Sequence, residues 1–172
     1  MRAAILGRGA HVAEWITADH ESYDETIAVN CAINIFRANW LVALDPPTYH
    51  HLTGQPVHGA LYHSGLAQRG NVLPPQYCEE WGACNWVDVA DLEWESMFYQ
   101  YSICAALRFA SELGAESVDC FGCCGPGQEP AEDSILSEGR SQVTNRERWI
   151  GEHKQIAKVL EYLDDMEVSW IK

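Results

Sequence analysis

The first residues with the makings of chemistry are Gly7-Arg8-Gly9, directly after the apolar run Ala3-Ala4-Ile5-Leu6. A G-x-G after an opening strand and ahead of a helix lets backbone N–H groups approach an anion, helped by the helix N-terminus. Arg8 and His11 would add charge or hydrogen bonds there. The plainer reading is a tight turn from strand to helix. It is a poor dinucleotide fingerprint, because Val12 stands where G-x-G-x-x-G has its third glycine. The second apolar run, Thr26-Ile27-Ala28-Val29, ends in Asn30 rather than in the acid that holds a ribose hydroxyl. A Walker A lysine is missing, which excludes an ordinary P-loop. Asn30 both donates and accepts, so it suits a base edge or a sugar hydroxyl; otherwise it caps the following helix.

Acid–base candidates come next along the chain. Asp45 follows the run Trp40–Leu44 and precedes Pro46-Pro47, where it is a base, a metal ligand, a hydroxyl acceptor or a plain turn residue. His50, His51, His58 and His63 cluster after it, and histidine is the usual acid–base near neutral pH. Their spacing matches no H-E-x-x-H motif. His153 falls on the apolar stripe of the last helix, which predicts a buried, hydrogen-bonded structural histidine. Cys120, Cys123 and Cys124, with Cys78 and Cys84, supply one C-x-x-C where strong zinc signatures have two. Zinc is therefore disfavoured, and a redox pair more so, because a strand-to-loop pair lacks the helix N-terminus that lowers a thiol pKa. A divalent metal is compatible with the site, and no cofactor is specified.

These residues need elements to position them. The chain has 172 residues, 47% of them apolar and 21% charged, which fits one globular domain over 1–172. The net charge of -14 argues against duplex nucleic acid or an anionic membrane as partner. Apolar runs fall short of a membrane span, and the N-terminal residues lack a signal-peptide core. An odd count of seven cysteines fits reduced thiols. Together these predict a cytoplasmic protein. The seven tryptophans fit core packing, a sugar platform or a homo-oligomer interface.

Strands are expected at 3–6, 26–29, 40–44, 60–62, 116–121 and 168–171. Helices are expected at 12–17, after Asn30, from a cap at Asp91 to a stop at Gly114, and over 145–165. Residues 48–85 read as loops, and 122–139 as a mobile loop or lid. The alternation predicts an α/β fold: a single Rossmann-like domain with a mostly parallel sheet and helices on both faces. Ligands of such sheets bind beyond the carboxyl ends of strands, which singles out Gly7, Arg8, Gly9, His11, Asn30, Asp45 and Gly122.

Taken in order, Gly7-Arg8-Gly9-Ala10-His11, Val29-Asn30, Asp45, Leu113-Gly114-Ala115, Phe121-Gly122-Cys123-Cys124, and the late Arg148-Trp149 with Glu152 form a pattern. It resembles a group of Rossmann-like phage and bacterial proteins related to bacterial sialyltransferases, flagellin-modification accessory proteins and an archaeal hydroxymethylpterin pyrophosphokinase. The resemblance implies a nucleotide or sugar-nucleotide site at Gly7, Gly9 and Asn30, closed by the loop after Phe121. The preferred reading is a domain that binds such a ligand and transfers its glycosyl or phosphoryl-linked group, in which Asp45 with one of His50, His51, His58 or His63 gives acid–base help. The chain departs from the pattern at His11, where the group has serine, and at Cys124, where it has aspartate. It also lacks a D-x-D motif. These departures leave a non-catalytic nucleotide-sensing or sequestering protein as the alternative, with a zinc-bearing interaction protein third.

Overall fold

A computed structural model describes residues 1–7, 9–29, 32, 36, 38–43, 59–62, 85–88, 94–123, 125–126 and 142–172. Seven strands form one sheet: β1 (Arg2–Leu6), β2 (Glu25–Val29), β3 (Trp40–Ala43), β4 (Gly59–Tyr62), β5 (Asn85–Asp88), β6 (Ser117–Phe121) and β7 (Glu167–Ile171). The spatial order is β5-β4-β3-β2-β1-β6-β7, and every neighbouring pair is parallel. The α/β class and the single Rossmann-like domain expected from the alternation are what the chain adopts. The chain lays strands outward from β1 in one direction, then returns to place β6 on its other side.

β1 is central, and its sequence says why. Ala3, Ala4, Ile5 and Leu6 are all fully buried, as a strand covered on both faces requires. One face carries the 3₁₀ helix η1 (Ala10–Thr17), with Trp15 packed edge-on against Phe121 at 5.1 Å. The other carries α1 (Ser102–Glu112), whose Phe109 meets Trp40 of β3 at 5.0 Å. Against α1 packs the long helix α2 (Gln142–Tyr162), which buries Ile156 and Val159, with Leu163 buried just past its end. Short 3₁₀ turns η2 (His20–Ser22) and η3 (Ser96–Tyr99) complete the described helices.

Three expectations needed revision. The helix predicted to run from Asp91 does not run unbroken: Glu95 and Tyr101 are extended, so η3 and α1 are separate pieces. The apolar spacing of Met97, Phe98, Tyr101 and Cys104 continued across the break because both pieces face the core. Asp91 itself lies outside the described residues. β5 was not expected: it begins at Asn85, where the stretch read as loops ends, and its four residues Asn85–Asp88 carry too short a pattern to show. α2 also begins earlier, at Gln142.

The stop at Gly114 holds. Gly114 has φ +86°, its N–H donates to Ser111 O at 2.9 Å, and Ala115 N–H donates to Ala110 O at 3.0 Å. That pair of bonds is a Schellman cap, which satisfies the last helical carbonyls and turns the chain into β6. No described helix is long and apolar enough to cross a membrane.

Candidate functional site

Strand order reverses at β1, so the crevice beyond the carboxyl ends of β1 and β6 is where such sheets bind ligands. Gly7, Gly9 and Gly122 lie there. Gly7 N–H donates to Phe121 O at 2.7 Å, and Gly9 N–H donates to Gly122 O at 2.8 Å. The two strand exits therefore cross almost without side chains between them. A Cβ on Gly9 would stand 2.8 Å from Gly122 O, and one on Gly122 would stand 2.6 Å from the Val12 Cβ. Gly122 also has φ +64°, a conformation that suits glycine. Gly7 is confined by Gly122 O and the Cys123 Sγ.

This geometry reassigns the glycines. The N–H groups expected to hold an anion at Gly7 and Gly9 are spent on Phe121 and Gly122. The ladder of η1 starts with Val12 N–H on Gly9 O at 3.0 Å, so the N–H groups of Ala10 and His11 lie ahead of it. Gly9 is the N-cap of that helix and His11 is exposed in its first turn. Of the predicted site residues the structure thus brings Gly7, Gly9, His11 and Gly122 to one place. Arg8, Asn30, Asp45, His50, His51, His58 and His63 lie outside the described residues, as do Cys78, Cys84 and Cys124.

After Gly122 the chain passes over the end of β7. Gly125 is buried flush against the Trp170 indole, and a Cβ there would overlap the ring. Of the proposed 122–139 loop, Gly122, Cys123, Gly125 and Pro126 are described. Cys123 donates its thiol to Phe121 O at 3.6 Å. Cys120 points into the core as expected, and burial drives its thiol well above the ordinary range. Burial, with Glu152 adding repulsion, likewise pushes Cys104 up to about 12. Thiols so protonated are poor nucleophiles and poor metal ligands. Among the described residues no three His, Cys, Asp or Glu side chains gather as a metal-binding group.

A second polar cluster was not foreseen. Asp119, 8% exposed in the middle of β6, accepts at Oδ2 from Arg2 Nη2 at 2.6 Å and from Tyr23 Oη at 2.7 Å. The Arg2 guanidinium lies over the Tyr23 ring, 4.6 Å from its centroid. Burial and the carboxylate push the Tyr23 hydroxyl up to about 12. An acid between Val118 and Cys120 in an apolar strand was the sequence signal, since a buried carboxylate needs a partner.

His153 also differs from its expected role. It is half-buried, its Nε2 has no hydrogen-bond partner among the described residues, and its ring lies 4.0 Å from that of Trp149, whose Nε1 likewise has none among them.

No family model, no curated protein and no solved structure matches this chain.

Proposed function

We propose that the chain binds a nucleotide or sugar nucleotide beyond the carboxyl ends of β1 and β6 and transfers its glycosyl or phosphoryl-linked group. The observation that carries this reading is the coincidence of three features at the strand-order reversal: a glycine crossing, the start of η1, and the sequence Gly7-Arg8-Gly9. The crossing keeps side chains out of the place where a phosphate would sit. The anion is then met by the N–H groups of Ala10 and His11, with the charge of Arg8 and the imidazole of His11. Asn30 would take the base or ribose, and Asp45 with His50, His51 or His63 would supply acid–base help. A divalent metal could accompany the ligand, and the partner is a small molecule rather than duplex nucleic acid or membrane. The acidic composition and reduced thiols suit a cytoplasmic protein.

The second reading is a nucleotide-binding accessory protein without turnover. It is favoured by Cys124 in place of the aspartate of the resembling group, and by the engagement of both glycine N–H groups, which leaves fewer donors for a leaving phosphate.

A thermal-shift and calorimetric panel of nucleotides and sugar nucleotides, with and without Mg²⁺, tests binding. A ligand at ~100 times its Kd stabilises by ~2.7 kcal/mol. Arg8→Ala and His11→Ala should each weaken binding about tenfold, one charge-assisted contact each, while the melting temperature of the free protein stays put. A bulky residue at Gly9 is a poor test, because it would disturb the crossing itself. Absence of any binding sinks the proposal. Unmodified ligand recovered after incubation with candidate acceptors selects the second reading.

A further inference from the structure

The two unpartnered nitrogens on α2 stand at the ligand end of the sheet. β6 and β7 are parallel, so α2 must run back from the carboxyl end of β6 to the amino end of β7. Trp149 precedes Tyr162 by a helical rise of ~20 Å, against ~13 Å for a five-residue strand. The N-terminal half of α2 therefore reaches the carboxyl rim. A contact agrees: a Cβ on Gly151 would lie 2.7 Å from Tyr101 Oη, and Tyr101 is the residue that opens α1 at that same rim.

We infer that Trp149 Nε1 and His153 Nε2 read a carbonyl oxygen on the base of the bound nucleotide. This rests on the nucleotide reading above and adds the class of base. Both nitrogens are shielded and neither has an acceptor among the described residues, although buried donors are nearly always paired. The indole Nε1–H only donates, and the imidazole donates from Nε2 in one tautomer. A carbonyl oxygen has two lone pairs and satisfies both rings at once. The ring nitrogens of adenine each have one. Burial holds the imidazole below its usual range, so near neutral pH it is the uncharged form that faces the ligand. The rings are half-exposed while the nitrogens are shielded, so contact with a ligand requires both rings to shift from their positions in the free protein.

The test is calorimetry of the full chain with UMP, GMP, AMP and ribose 5-phosphate. The wild type should bind UMP and GMP about tenfold tighter than AMP, the worth of one good hydrogen bond. Trp149→Phe should erase that difference, leaving AMP and ribose 5-phosphate unchanged and the melting temperature equal or higher. His153→Phe should do the same, while His153→Gln, which keeps a donor, should retain the preference. Wild-type binding without preference for the carbonyl bases overturns this inference and leaves the nucleotide reading standing. So does a preference that both Phe variants keep, which would mark the nitrogens as met by buried water only. Failure of the wild type to bind any of the nucleotides overturns both.

Discussion

The pair β1 and β6 is built in two different ways at its two ends. Toward the carboxyl end, Gly7, Gly9 and Gly122 join the strands by backbone bonds alone, and a methyl group has no room. Farther back, Arg2, Tyr23 and Asp119 join β1, β6 and the approach to β2 through side chains, with a buried carboxylate at the centre. The first region is cleared of side chains; the second depends on three of them. Side-chain bonding is thus placed away from the rim, and the rim is joined by close backbone contact. Removing any member of the second region should lower stability without touching ligand affinity. A change in the first should do both.

The largest expected effect is Gly122→Ala. It combines a left-handed φ, about 1–2 kcal/mol, with a forced overlap on Val12, about 1–3 kcal/mol. A loss of about 3 kcal/mol in urea unfolding, together with lost ligand binding, is expected. A drop below 1 kcal/mol would show that the crossing is looser than its distances. Asp119→Ala comes next at about 2–3 kcal/mol. The low end allows for the Arg2 side chain, which is 46% exposed and regains water. Ligand affinity should not change, and a change would merge the two regions into one site.

Tyr23→Phe removes one hydrogen bond to that carboxylate and should cost about 1.5 kcal/mol. It also has a pH signature. The folded value of about 12 lies above the ordinary 10.0, so this contribution is whole below pH 10 and is lost as pH rises toward 12. Cys104, raised from 9.0 to about 12, loses stability over a window that opens lower, from pH 9. Denaturant midpoints from pH 8 to 12 should fall in the wild type. The fall should be shallower above pH 10 in Tyr23→Phe, with the part starting near pH 9 retained. Smallest is Gly114→Ala, about 1 kcal/mol for a residue at φ +86° with open space around its would-be Cβ. Its would-be Cβ meets nothing within 4 Å, so it touches neither region and serves as the control.

Much of the sheet was legible because its strands are short apolar runs ended by glycine, asparagine or proline. Ala3–Leu6 and Ser117–Phe121 are the clearest, since a parallel strand covered on both faces needs no alternation to be recognised. β5 was not legible, for Asn-Trp-Val-Asp has only two apolar residues and derives its strand character from its neighbour β4. The break at Tyr101 was hidden by a helical period that two separate pieces share. At the rim, the glycines were found by type, but type could not tell whether their N–H groups face a ligand or a neighbouring carbonyl. Arg2, Tyr23 and Asp119 were missed because their meeting depends on the β1–β6 register, a contact no local window contains.

That register has a consequence for how the molecule comes into being. Met1 and Glu116, 115 residues apart, share an ion pair at the foot of the two strands. The most deeply buried strand is therefore made before both its neighbours and completed late, because the second of them emerges from the ribosome only after β2 to β5. During that interval Ala3–Leu6 has a partner on one edge alone. Folding should be slow for a chain this small, its rate set by closing this long separation. A nascent chain held at residue 110 should be protease-sensitive throughout, gaining protection only once β6 has emerged.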